Sequence, residues 1–293
     1  MDKKIIINRD LCTGCKTCIE ICPRDCFELD VEKKSVFHLK RCHDCGHCIS
    51  YCPEAAIQHR DLPIEDYELI SKYADNSIKN GEQMYYFLKS IRSTRKFLKK
   101  PVEDEILAKL ADITRYSPTG HHSQNVELTL VSKPETIQEL KDESAKSIIS
   151  ILKKIDNPFF VFAAKLIGKG SLIRKAKGTR HRFVRHLDGF KEGNDYLFHG
   201  APAIAVFHSN KNGYVPEDNC TLAASYLSVL ANSYGLGVCY IGYLTYYSRY
   251  NSKIRDILKI PKENKIYQVL IFGYPKYKLK TFVSRKPSKI AWK

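Results

Sequence analysis

Between residues 84 and 131 the apolar positions change period. Met84, Phe87, Leu88 and Ile91 recur at i, i+3, i+4 and i+7, which predicts an amphipathic helix. Ile106, Leu107, Leu110 and Ile113 predict a second helix. "SPTG" at 117–120 then breaks the chain, and "VELTLV" at 126–131 alternates as a half-buried strand does. Upstream, "HRDLPIEDYELISKYADNSIKNGEQ" at 59–83 mixes polar, Pro and Gly residues and reads as a linker, with one short helix around Glu65–Tyr73. "PFFVFAAKLIG" at 158–168 is too short to span a bilayer, and no run reaches eighteen uninterrupted apolar residues. The start, "MDKKIIINRD", lacks the apolar core of a secretory signal, so a cytoplasmic protein is expected.

A chain of 293 residues, 43% hydrophobic and 11% aromatic, predicts a globular protein of two domains. Charge separates them. Residues 1–66 carry ten Lys and Arg against twelve Asp and Glu, a balance of −2. The remainder holds +18 of the total +16. The expected organisation is a domain over 1–62, a linker over 63–82 and a second domain over 83–293.

Nine of the eleven cysteines fall within residues 12–52. "CTGCKTCIEICPRDC" starts at Cys12 and "CHDCGHCISYC" at Cys42. Each holds one C-x2-C-x2-C-x3-C-P, closed by Pro23 and Pro53. In a reducing compartment such crowding points to metal ligands or redox groups. Three thiolates spaced this way converge on one [4Fe–4S] cubane, and the fourth, expected at the start of a short helix, reaches the other cluster. Cys12, Cys15, Cys18 and Cys52 are therefore expected to hold one cluster, and Cys42, Cys45, Cys48 and Cys22 the second. Paired zinc sites and a disulfide framework are the rival readings, but zinc does not call for a doubled, proline-closed pattern. Cys26 stands outside the pattern as a buried or incidental thiol. His43 and His47, between ligands, either hydrogen-bond locally or face solvent.

Residues 1–60 resemble bacterial two-cluster ferredoxins in this complete motif. Residues 88–290 resemble the nitroreductase family of FMN enzymes, and the motifs come in the right order. "SIRSTRKF" is similar to its R-S-x-R-x-F, and "SPTGHHSQNV" to its S-P-S-x-x-N-x-Q-P-W. "FHGAPAIAVF", "GLGVCYIG", "VLIFGYP" and "SRKP" are similar to its later strands, turn and final arginine. The resemblance implies an α+β fold, a nitroreductase-type mixed sheet with surrounding helices after a ferredoxin-like domain, and a homodimer with FMN at its interface. It assigns Arg92, Ser93, Arg95 and Arg285 to the flavin phosphate and ribityl chain. Pro118, Thr119 and Gly120 match the loop against the isoalloxazine of the opposite subunit. Ile241 and Gly242 match the turn near flavin N5, where a backbone N–H stabilises charge on the reduced ring.

The chain departs from the family at three places. His122 replaces the family's Asn, Asn125–Val126 its Pro-Trp, and Tyr240 its Trp. His122 either hydrogen-bonds the ring, faces substrate or is structural. His121 and His122 are the best acid–base candidates, since histidine titrates near neutral pH. Cys220 and Cys239 read as core.

An insertion over about 141–199 is rich in Lys and Arg with scattered aromatics. It reads either as a helical lid over the flavin, selecting anionic substrates, or as a solvated excursion. It matches no nucleic-acid motif, and its positive field suits acidic redox proteins better. No dinucleotide fingerprint is present, although NAD(P)H serves many family members without one. The expected function is transfer of electrons from a ferredoxin- or flavodoxin-like donor, with NAD(P)H as a second donor, through the clusters to FMN. The acceptor is a nitroaromatic, a quinone, an enone or another flavin. The alternative is a redox sensor or relay that serves a protein partner and has no organic substrate.

Overall fold

The structure, a computed structural model, describes residues 4–38, 42, 45–60 and 81–293. Contacts divide the chain into two units, Met1–Lys96 with Pro275–Lys293, and Phe97–Tyr274. These divisions fall elsewhere than the boundaries expected at 62 and 82. Residues 61–80, which hold most of the expected linker and its short helix, lie outside the described residues, as does His43.

The first unit runs β1 (Ile5–Ile7), α1 (Thr17–Ile21), β2 (Phe27–Leu29), β3 (Ser35–Phe37), α2 (His47–Ser50), β4 (Ile57–His59) and α3 (Gly81–Ser90). β1 pairs with β4 and β2 with β3, both antiparallel. Asp30 makes the turn between β2 and β3, where its Oδ1 accepts from the N–H of Glu32 and of Lys34, both at 3.0 Å. Ile5, Phe27, Phe37 and Ile57 pack with Ile49, Val283 and the buried sulfurs of Cys12, Cys18, Cys26, Cys48 and Cys52. Each cysteine helix opens after a left-handed residue, Lys16 at φ 64° and Gly46 at φ 71°. The fourth cysteine of each motif follows a short helix rather than starting one. Cys22 caps α1 in extended conformation (φ −70°, ψ 114°), because the ring of Pro23 disfavours a helical residue before it.

The second unit runs α4 (Asp104–Asp112), β5 (Glu127–Val131), α5 (Pro134–Asp156), α6 (Pro158–Leu166), α7 (Gly170–Gly178), α8 (Arg180–Lys191), β6 (Ala203–Asn210), α9 (Pro216–Ser233), β7 (Gly237–Tyr240), α10 (Gly242–Tyr247), α11 (Ser252–Ile257) and β8 (Asn264–Gly273). Its sheet has the order β5-β6-β8-β7. Every described pairing is antiparallel, so the mixed sheet expected from the resemblance is not formed by these strands. The reason is topological: β8 inserts between β6 and β7 and runs opposite to both.

Period-two alternation gives this sheet two buried faces. Ala203, Ala205, Phe207, Leu270 and Phe272 pack with Ala223, Ala224 and Leu227 of α9. Ile204, Val206, Val269 and Ile271 pack on the other side with Leu140 and Ile148 of α5, Phe183 of α8 and Leu244 of α10. Leu107 and Leu110 are the buried residues of α4, as its periodicity predicts. Ile91 lies one residue past the end of α3, and Ile113 opens a 3-10 turn after α4. The expected insertion is helical across α5 to α8.

Candidate functional site

Two cavities in the first unit collect the cysteines. Cys12, Cys15, Cys18 and Cys52 line one, together with Gly14, Ser35 and Ala56. Cys22, Cys42, Cys45 and Cys48 line the other, together with Cys26 and Gly46. Gly14 is required by close approach: a Cβ there would stand 2.1 Å from the Lys33 carbonyl oxygen. Backbone donors point at sulfur, from Ser35 to Cys12 Sγ at 3.4 Å, Ala56 to Cys52 Sγ at 3.3 Å and Cys26 to Cys22 Sγ at 3.4 Å. Cys18 Sγ lies 3.1 Å from Ser35 Oγ.

Burial pushes the thiols of Cys18, Cys48 and Cys52 up, and neighbouring cysteines add to this for all three. A lone thiolate there is costly, whereas iron in the cavity would reverse the sign. Four soft donors around each cavity fit an iron–sulfur cluster. Among the described residues no three such donors stand close enough to hold a single ion. A cubane would offer each of the four thiolates a different iron.

The second feature is a set of guanidinium groups around His47. Arg92 is buried and donates to the carbonyls of Lys89 (2.7 Å), Ile91 (2.8 Å) and Val283 (3.3 Å). It thus caps the end of α3 and ties down the C-terminal segment. Among the described residues its Nε has no hydrogen-bond partner. Burial, with Arg285 nearby, lowers Arg92 to about 10. Arg285 donates to the Cys45 carbonyl at 3.1 Å. His47 Nε2 either donates to the Ser93 carbonyl (2.9 Å) or accepts from Arg95 (3.2 Å). Burial holds the His47 imidazole down at about 4, and Arg95, Arg92 and Arg285 all disfavour its charge. Three cations bearing on one buried neutral ring make a place suited to an anion such as phosphate.

A small hollow here is lined by His47, Tyr51, Ser93, Thr94 and Arg95. Arg92, Ser93, Arg95 and Arg285, assigned by resemblance to one flavin phosphate, therefore share the first unit with the loop of Cys45 and Cys48. His47 was not singled out by its sequence for this link. Its place between Cys45 and Cys48, directly after Gly46, was the available signal.

In the second unit, residues 117–125 are held by a residue that the motif did not name. Asn219, buried near the start of α9, accepts from the Gly120 N–H at 2.9 Å. Its Nδ2 donates to Asn125 Oδ1 (2.8 Å), the Tyr214 carbonyl (2.9 Å) and Ser123 Oγ (3.1 Å). A Cβ at Gly120 would stand 2.3 Å from Val215 Cγ2. Thr119 Oγ1 accepts from the Gln124 N–H at 3.1 Å, and Pro118 precedes this turn. His121 is exposed, left-handed at φ 52°, with its ring edge-on to Tyr214 at 4.2 Å. The His122 backbone lies in the 3-10 turn Gly120–His122; its side chain lies outside the described residues. The Ile241 N–H already donates to the Val269 carbonyl at 2.9 Å. Gly242 opens α10 with nothing within 4 Å of the place a Cβ would take, so a planar ligand can approach its backbone closely. Cys220 and Cys239 are buried, and burial pushes Cys220 up to about 12.

Two domain families match the chain: the nitroreductase family over residues 88–274 and the 4Fe-4S dicluster domain over residues 4–53. An NADPH-dependent oxidoreductase of Staphylococcus saprophyticus is 24% identical over 183 residues, 62% of this chain. The match spans 61% of that relative's length. A nitroreductase with bound FMN from Bacteroides fragilis shares the fold with a TM-score of 0.54 at 18% identity, over 73% of this chain and 99% of that one. One from Desulfitobacterium hafniense, also with bound FMN, gives 0.53 at 18% identity, over 71% and 96%.

Proposed function

The chain belongs to the nitroreductase family and carries a 4Fe-4S ferredoxin-like domain, and from that premise we propose an iron–sulfur flavoprotein that moves electrons through two [4Fe–4S] clusters to FMN. A ferredoxin- or flavodoxin-like protein is the donor, and a nitroaromatic, quinone, enone or flavin the acceptor. NAD(P)H serves as a second donor, a reading supported by the NADPH-dependent relative. FMN, when bound, supplies the change from one-electron to two-electron chemistry. The chain acts as a cytoplasmic homodimer, with cluster, linker and flavin domains over 1–62, 63–82 and 83–293.

The chain's own residues supply position and charge. Cys12, Cys15, Cys18 and Cys52 hold one cluster, and Cys22, Cys42, Cys45 and Cys48 the other. Arg95, Arg285 and Ser93 grip the flavin phosphate and ribityl chain, and Arg92 braces the segment that carries them. Asn219 fixes the Pro118–Gly120 loop that meets the isoalloxazine of the other subunit. Gly242 presents its backbone to the ring, since the Ile241 N–H is engaged in the sheet.

The observation that carries this reading is the hydrogen bonding of Arg285 to Cys45 and of His47 to Ser93 or Arg95. It joins residues assigned to the phosphate to the second cysteine loop, which supports a reading in which that loop's cluster passes electrons to the flavin. Metal, sulfide and flavin analysis of anaerobically purified protein tests the cofactors. About eight irons per chain are expected, four per cubane; zinc in their place would end the proposal. Arg95→Ala should weaken FMN retention roughly tenfold, as loss of a charge-assisted contact does. Reduction by ferredoxin should reach the flavin only when iron is present.

A further inference from the structure

The insertion carries an apolar helix that leaves one face exposed. In α6, Phe159 is 86% exposed, Phe162 64% and Leu166 72%, and Ala164 alone is buried. Phe159, Phe162 and Leu166 fall at i, i+3 and i+7, on one face of the helix. Ile167 and Leu172 extend the exposed apolar surface into α7. So much contiguous hydrocarbon is costly in water and marks a surface that is covered in use.

The surroundings say what covers it. From 144 to 187 the chain has eleven Lys and Arg against one acid, Asp156, which pairs with Arg180 at 3.0 Å. A groove that reaches Phe160 of α6 is lined by Lys146, Lys153 and Lys154 with Ile149 and Asn157. We propose that α6 and its basic flanks dock this protein on an anionic phospholipid surface. Phe159, Phe162 and Leu166 enter the acyl boundary, while the lysines meet headgroup phosphates. A second copy would bring the same ten surplus positive charges to the contact. An acidic redox protein would match the charge but leave the aromatic face in water.

Full-length holoprotein floated with vesicles of equal parts phosphatidylcholine and phosphatidylglycerol should bind at low salt. It should remain free with phosphatidylcholine alone, and salt should weaken the complex. Phe159→Ser with Phe162→Ser, and separately Lys153→Glu with Lys154→Glu, should each lower partitioning by roughly tenfold or more. These side chains face outward, and circular dichroism checks that the variants fold. Phe162→Trp supplies an independent readout, a blue shift of emission on the anionic vesicles.

The proposal falls if the protein does not bind anionic vesicles. It also falls if binding survives loss of both phenylalanines, which would be charge adsorption alone. A change of oligomeric mass in the phenylalanine variant would assign the patch to a second copy. Loss of binding to an acidic ferredoxin, without any lipid effect, would assign it to a protein partner.

Discussion

The two units bury apolar surface by different means. In the second, β6 and β8 run eight and ten residues and are covered on both faces by helices. In the first, the strands of both pairs are three residues long, and cysteine sulfurs stand among a few isoleucines and phenylalanines. A core that small supplies little hydrophobic stabilisation, and small domains of this kind are commonly held by metal. The second unit needs no such support. A 4Fe-4S cluster bound in the first unit would therefore stabilise it as well as carry electrons.

The largest expected effect is on the first unit alone. Stripping iron with a chelator, or Cys48→Ser, should abolish amide-exchange protection in β1 to β4 while β6 and β8 keep theirs. Equal loss in both would break the contrast. Next, Leu270→Ala removes a fully buried side chain between β8 and α9 and should cost about 2–5 kcal/mol. Urea unfolding of the loaded protein should show that loss in the transition of the second unit, with the cluster absorbance unaffected.

A pH effect reports on the second unit. Burial, aided by Arg185 and Arg182 and opposed by Asp195, lowers His186 from 6.5 to about 4; its ring is edge-on to Tyr243 at 4.4 Å. The folded value lies below the unfolded one, so the unfolded chain binds the proton first. The stabilisation from a neutral ring is complete above pH 6.5 and is lost as pH falls from 6.5 toward about 4. Over that window His186→Phe should flatten the decline in stability of the second unit, read from unfolding midpoints. The smallest expected effect is Asn219→Ala, at about 1–3 kcal/mol, since it orphans the Gly120 N–H. Faster exchange of residues 117–125, with β8 unchanged, would be the local sign.

Local pattern carried much of this into view beforehand. The spacing of Leu107 and Leu110 showed which face of α4 is buried, and the alternation of 126–131 marked β5, because helix and strand periods are properties of a short window. The cysteine spacing identified the ferredoxin-like domain for the same reason. Other features were beyond such a window. A run of apolar residues does not say which strand lies beside it, and the insertion of β8 between β6 and β7 follows from long-range pairing.

Motif order, spacing and periodicity were enough for the family, the cysteine motifs and the helical character of the insertion. Only the tertiary structure showed that Arg92 spends its hydrogen bonds on carbonyls, that Asn219 organises the 117–125 loop, and that His47 joins Cys45's loop to Ser93 and Arg95. It alone showed that "PFFVFAAKL" faces outward rather than into a core. Most of these contacts join residues tens to hundreds of positions apart, and no local spacing encodes burial or such partners.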